Sequence, residues 1–264
     1  MARSALLNVM VQAAMKAGRK LSRDFGEVES LQVSVKGPGD FVTNADNEAE
    51  KIIHQELSRA RPEIGFLMEE GGEIKGKDPQ NRWIIDPIDG TTNFMHSIPI
   101  FGISIALERE GQIVAGVVYN PAMDELYTAE KGKGAFMNDR RLRVANRRDM
   151  LECVFTTGIP HLGRPAHTEF LEQQRKVMLN SAGVRRFGAA SLDLCYVASG
   201  RVDGFWETGL QPWDMAAGII MVREAGGYVT DLDDGTDMFA KTSIIAGNEI
   251  IRKKLSATLK AFPV

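Results

Sequence analysis

Between residues 83 and 144 the chain passes through short runs of β-branched and aromatic residues, cut by turn formers and lacking helical period. The spacing predicts strands at Trp83–Ile85, Ile100–Leu107 and Ile113–Tyr119, the last two joined at Gly111. Glu125–Ala129, Ala135–Met137 and Leu142–Val144 extend this into an antiparallel meander. Two helices precede it. One covers about 4–25, with Leu6, Met10, Ala13, Ala14, Ala17 and Leu21 at helical spacing. The other starts near Thr43–Asp46, behind the capping residues Thr43 and Asn44, with Ala49, Ile52, Ile53 and Leu57 as its apolar face. After about residue 145 the texture changes to alternation. Strands at 152–157, 184–187 and 203–207 are separated by helices near 167–180 and 190–199. A helix from Asp214 to Ala225, strands at 228–231 and 243–247 and a last helix follow. The first half therefore reads as α+β and the second as α/β, dividing at residues 1–145 and 146–264. A chain of 264 residues is long enough for two small units sharing a core.

Composition removes several functional classes. A net charge of −3 supplies no basic face for nucleic acid. No stretch approaches the roughly 20 apolar residues of a membrane span. Ala5–Ala17 is apolar, but Asn8 and Gln12 interrupt it and Lys16, Arg19 and Lys20 follow, as in an amphipathic helix rather than a secretory signal. Cys153 and Cys195 are the only cysteines, which fits free thiols in a reducing cytoplasm.

The chemistry concentrates in WIIDPIDGTTNF, residues 83–94. Asp86 ends an apolar strand, where a carboxylate is partly desolvated and needs a cation or strong donors. Pro87 stiffens the turn, so that Asp89 can point the same way, with the Ile88 carbonyl between them. Two carboxylates and a carbonyl make a hard-oxygen cluster suited to Mg²⁺; the residue types do not suit zinc. If a helix begins at Gly90-Thr91-Thr92, its N–H groups form an anion site beside that cluster. Asp214, in WDMAAG (213–218), reads either as a helix cap or as a further ligand. Small Ala216, Ala217 and Gly218 let that helix approach its neighbours closely. Glu69-Glu70-Gly71-Gly72 follows the apolar segment Ile64–Met68 and reads alone as a solvated turn. Val35-Lys36-Gly37-Pro38-Gly39-Asp40 reads as a loop; Lys36, Gly37 and Gly39 belong either to an ordinary surface turn or to a lid.

In this order, WIIDPIDGTTNF, WDMAAG, the Glu69-Glu70 pair and GDFVTNAD (39–46) resemble the inositol monophosphatase family of Mg²⁺-dependent, lithium-sensitive phosphatases, over essentially the whole chain. The resemblance implies a layered αβαβα sandwich. It implies that Glu69, Asp86, Asp89, Asp214 and the Ile88 carbonyl hold metal, and that Glu69 and Thr91 activate the attacking water with Asp46 supporting Thr91. Gly90, Thr91 and Thr92 would hold phosphate; Glu207 would contact substrate hydroxyls, with Asp89 and Ala190 nearby. It also implies a homodimer, for which the apolar surface of Phe101–Leu107 is a candidate face. Gln211 stands where the animal enzymes commonly carry histidine, which bears on substrate preference and not on the ligands.

Relatives with this chemistry also act on histidinol phosphate, fructose 1,6-bisphosphate and nucleotide 3′-phosphates. Some bacterial relatives are implicated in RNA-polymerase or ribosomal-RNA processes, so a binding role beside the phosphatase is the other reading.

Overall fold

The structure, a computed structural model, describes residues 3–25, 33–37, 40–160 and 166–260. Helix α1 (Ala5–Phe25) buries Leu7, Met10, Ala14, Ala17 and Leu21 along one face. Strands β1 (Val33–Gly37) and β2 (Asp40–Thr43) pair antiparallel, with Val35 opposite Phe41. This corrects the expected loop at 35–40. The alternation Val33, Val35 and the run Phe41-Val42 extend the backbone on both sides of the turn. Lys36 and Gly37 are therefore strand residues, and Gly39 lies outside the described residues. Helix α2 (Asn44–Ala60) follows at once. It is closed by a capping box in which Thr43 Oγ1 accepts from Ala45 N, and Thr43 N and Oγ1 donate to Asp46 Oδ2 at 2.8 and 2.6 Å.

Strands β3 (Ile64–Met68), β4 (Gly72–Ile74) and β5 (Asp78–Asp89) begin an eight-stranded sheet. A short helix α3 (Thr91–Met95) intervenes, and β6 (Gly102–Arg109), β7 (Gln112–Asn120), β8 (Glu125–Glu130), β9 (Gly134–Met137) and β10 (Arg140–Arg141) complete the sheet in the order β10-β9-β8-β7-β6-β5-β3-β4. The meander is as expected except at its end. Leu142–Val144 is not a strand: the chain leaves the sheet after Arg141, Leu142 N still reaching Ala135 O while Val144 N turns to Ala225 O. Phe101–Leu107 is not an exposed dimer face either. Phe101, Ile103, Ile105, Ala106 and Leu107 are fully buried, because β6 is central in the sheet and helices cover both its faces.

The second half supplies β11 (Val154–Thr157), α4 (His167–Leu179), β12 (Gly183–Arg185), α5 (Ala190–Ala198), β13 (Gly204–Thr208), α6 (Pro212–Glu224), β14 (Tyr228–Thr230), α7 (Met238–Lys241), β15 (Ser243–Gly247) and α8 (Glu249–Lys260). Its five strands run β12-β11-β13-β15-β14, with β12, β11 and β13 mutually parallel. Three cores give the layering. One joins α1 and α2 to the large sheet. A second encloses α5 and α6 between the two sheets. The third packs Val177 of α4 and Ile251, Leu255 and Leu259 of α8 on the far face of the small sheet. The result is an αβαβα sandwich.

The middle layer explains why Ala190–Ala198 of α5 and Met215–Val222 of α6 are buried throughout. Gly218 brings α6 so close to α5 that a Cβ there would stand 2.5 Å from Leu194 Cβ, and one on Gly116 of β7 would stand 3.0 Å from Ala217 O. Those small residues set the thickness of the layer, and with it the distance from α6 to the end of β5.

Candidate active site

The strand carrying Asp86 does not end there. It continues through Pro87 to Asp89, all of Trp83–Asp89 being buried. Asp86 pairs with Ser104 and Asp89 with Gly102, so three steps on β5 face two on β6. The extra residue is a bulge, which a proline lacking an N–H favours. It turns the strand end so that both acids sit at one place.

Neighbouring elements bring the remaining acids there. Strands β3 and β5 are parallel with Met68 opposite Ile85, and Glu69 N donates to Ile85 O at 3.2 Å. Glu69 thus stands beside Asp86 and shares a side-chain hydrogen bond with it. The turn after Glu69 is pinned from α2, where Glu50 Oε2 accepts from Glu70 N at 2.9 Å. Asp214 comes from the first turn of α6. Ser104 Oγ donates to Trp213 O at 3.1 Å, tying that turn to the strand opposite Asp86. Asp214 proves to be a cap and a member of the cluster at once. Its Oδ2 accepts from Gln211 N at 2.7 Å, and its charge is felt at Asp86. Gln211 itself is exposed at the N-cap.

The electrostatics follow from this crowding. Burial, then Glu69, Asp89 and Asp214 in turn, push the Asp86 carboxyl well above its ordinary value. Asp214 is raised likewise, by burial and then by Asp89. Asp89 is raised by burial to about 6, although Ala190 N (3.2 Å), Ser191 N (2.6 Å) and Ser191 Oγ (2.5 Å) all donate to it and pull the other way. The Asp86 and Glu69 carboxyls lie within hydrogen-bond reach of each other, a contact that favours a proton or a cation between them. Among the described residues no three His, Cys, Asp or Glu side chains close on one point at metal-ligand geometry. The acids are gathered, with oxygens given to Ile88 N (2.9 Å, from Asp86), Ser191 and Gln211. Hard oxygen donors, crowded and raised by their mutual repulsion, fit a divalent cation of the Mg²⁺ class.

Beside the acids the chain turns into α3 through Gly90, at φ 94. A Cβ there would meet Ile100 O at 3.1 Å and Gly188 O at 3.2 Å, so both conformation and space require glycine. Buried Asn93 donates to Ile100 O and Phe187 O, both at 2.7 Å, and Phe94 packs edge-on against Phe101. These anchors fix the start of α3, whose first N–H groups have no acceptor within the helix, directly after the acids of β5. The Thr91 hydroxyl lies 3.0 Å from Ile88 O and 3.2 Å from Asp46 Oδ1, with one proton for the two acceptors. Asp46 is buried, and desolvation raises its carboxyl despite the Thr43 donors. Thr92 is exposed at the same turn.

Ala190 sits at this place through its N–H on Asp89. Glu207, on β13, lies within the field of Asp214 and of Asp193. Lys36 and Gly37, read from sequence as either a surface turn or a lid, lie on β1, whose partner β2 leads directly into the Thr43 cap. The sequence reading did not single out Glu50 or Ser191. The first stands four residues after Asp46 on the same face of α2, and the second follows Ala190 in the first turn of α5.

The chain matches the model of the Inositol monophosphatase family over residues 2–262. It is 66% identical to an inositol-1-monophosphatase of Mesorhizobium japonicum, across 98% of each chain. It is 42% identical to the Nus factor SuhB of Escherichia coli K12, across 97% of this chain and 96% of that one. The crystal structure of the extragenic suppressor protein suhB from Bartonella henselae superposes with a TM-score of 0.97 at 64% identity, covering 98% of this chain and 100% of that one. The acids at the end of β5, the capped turn of α6 and the whole-chain match together make this chain a member of the inositol monophosphatase family.

Proposed function

We propose that the protein hydrolyses inositol 1-phosphate to inositol and phosphate with Mg²⁺. The observation that carries this is the pooling of Glu69, Asp86, Asp89 and Asp214 beside the Thr91 hydroxyl and the start of α3. Glu69, Asp86, Asp89, Asp214 and the Ile88 carbonyl would hold the metal. When bound, Mg²⁺ supplies charge to the phosphoryl oxygens and the leaving oxygen, and lowers the pKa of water. Gly90, Thr91 and Thr92 hold the phosphoryl group through N–H and hydroxyl donors. Thr91, kept in line by Asp46, orients a water that Glu69 deprotonates for in-line attack at phosphorus. The P–O bond to the inositol oxygen breaks, that oxygen takes a proton from solvent water, and Glu69 returns the proton it took to solvent. Glu207 accepts hydrogen bonds from the ring hydroxyls, with Ala190 alongside. Among the described residues no side chain is assigned as a nucleophile, so the reading has no phosphoenzyme. The site lies at the seam of the two proposed subdomains, 1–145 and 146–264.

The test is Mg²⁺-dependent phosphate release from myo-inositol 1-phosphate and histidinol phosphate side by side. Preference for the inositol ester supports the proposal. Preference for histidinol phosphate keeps the metal chemistry and reassigns Glu207 to an amine, and fructose 1,6-bisphosphate and a nucleotide 3′-phosphate complete the panel. The relatives named Nus factor SuhB favour a second role, binding to RNA polymerase. Its mark would be co-purification with polymerase that survives Asp86→Asn. The buried free thiols Cys153 and Cys195 support a cytoplasmic setting. A homodimer is the proposed assembly, to be read by light scattering, and lithium inhibition is the matching family trait to assay.

A further inference from the structure

We infer that Gly158 is a positioning residue that sets substrate preference by seating the Glu207 carboxylate; this rests on the reading of Glu207 as the group that meets the substrate hydroxyls. Strands β11 and β13 are parallel, with Thr156 opposite Phe205 and Thr157 opposite Trp206. The next position on each is Gly158 and Glu207. Side chains alternate along a strand, and opposed residues share a face. Thr156 Oγ1 bonds Asp193 of α5, while Phe205 packs in the core that contains α5. Gly158 and Glu207 therefore belong to the face that carries the acids.

Most residues at 158 would stand next to Glu207 there. With glycine, the Glu207 side chain folds across its neighbour instead. A Cβ built on Gly158 would overlap both carboxylate oxygens and the carboxyl carbon of Glu207. The notch is held rigid from below, since Thr157 Oγ1 lies 2.7 Å from Trp206 O and 3.1 Å from Gly158 O. Gly158 has no left-handed backbone angle to require glycine. The three atoms nearest to a Cβ there all belong to the Glu207 carboxylate, which fills the space the missing side chain leaves. An added methyl cannot share that space, so it must turn the carboxylate away.

The experiment compares Gly158→Ala, Glu207→Ala and the double variant, in Mg²⁺, on myo-inositol 1-phosphate and on p-nitrophenyl phosphate, which offers no hydroxyl for Glu207. The expected result is that Gly158→Ala lowers the ratio of kcat/KM for the inositol ester over that for the aryl ester about tenfold, the weight of one hydrogen bond to a charged group, with the loss in KM. The double variant should fall no further than Glu207→Ala, because the methyl then has nothing to displace. A Gly158→Ala ratio equal to wild type, or equal losses on both esters, overturns the inference while leaving Glu207 in place. A Glu207→Ala ratio equal to wild type sinks the underlying reading instead. Should Gly158→Ala melt early, recovery of Tm in the double variant supports the overlap, and no recovery refutes it.

Discussion

Replacing Asp86 by asparagine should make the metal-free protein more stable and the enzyme inactive. Asp86 Oδ1 accepts from Ile88 N, and its side chain shares a hydrogen bond with Glu69. Asparagine can keep both contacts, its carbonyl accepting and its amide donating to Glu69, so it copies the protonated acid without the proton. Asp89 is raised in the same direction. Its carboxyl rises from 3.8 to about 6, so ionising it in the fold costs on the order of 3 kcal/mol. An acid raised in this way keeps its proton longer folded than unfolded. Its stability is fully present below the unfolded value of 3.8 and is lost as pH climbs through the folded value. In EDTA, Asp86→Asn should therefore match wild type at pH 4 and exceed it at pH 8 by on the order of 2 kcal/mol, or about 4–8 °C in Tm for a chain of this size. Added Mg²⁺ should raise the wild-type Tm increasingly from pH 5 to pH 8, as protons leave the ligands, and should scarcely move the variant. Phosphate release by the variant should fall below about a tenth of wild type. Scanning calorimetry with and without EDTA reads both effects. A variant less stable than wild type at pH 8 without metal would refute the shared-proton account, and a variant stabilised by Mg²⁺ as strongly as wild type would refute the ligand assignment.

Other outcomes follow from single contacts. Thr91→Val should lower kcat about a hundredfold and Thr91→Ser only a few-fold, because the hydroxyl held by Asp46 is what counts; equal losses would remove Thr91 from the water-positioning role. Ser191→Ala removes one of the three donors to Asp89 and leaves the two backbone N–H groups, so the acid limb of the pH–rate profile should move upward by about one pH unit; an unmoved limb would show that Asp89 does not govern it. Gly90→Ala, strained at φ 94 and short of space, should cost about 2 kcal/mol of stability by urea unfolding, and a cost under about 0.5 kcal/mol would contradict the packing. Hydrogen exchange at Lys36 and Gly37 should slow on adding Mg²⁺ and phosphate if β1 closes over the site, and identical rates would leave it a plain hairpin.

The sequence disclosed the elements by period and run, the amphipathic α1 and α2, the short strands of the meander and the apolar stretch 215–222, while their layering came from the family resemblance. It disclosed Asp86, Asp89 and Asp214 because acids interrupting apolar runs demand compensation. What escaped it was contact across the chain. The bulge at Pro87 depends on the register of β5 against β6, which no local pattern encodes. Strand β3 was read only as an apolar segment, yet its parallel pairing is what carries Glu69 to Asp86. Gly37 and Lys36 looked like loop because glycine and proline mark the turn, and the marks do not say where pairing begins.

The Asp89 carboxylate takes its three donors from Ala190 and Ser191, 101 and 102 residues further along. During synthesis at roughly 5–20 residues per second, the strand carrying the acids emerges several seconds before the helix that caps them. The nascent first half must therefore wait with its acids protonated or solvated, and the site closes only late, when α5 docks. A chain cut between residues 145 and 146 should accordingly yield two silent fragments whose activity returns on mixing, at a rate set by that docking.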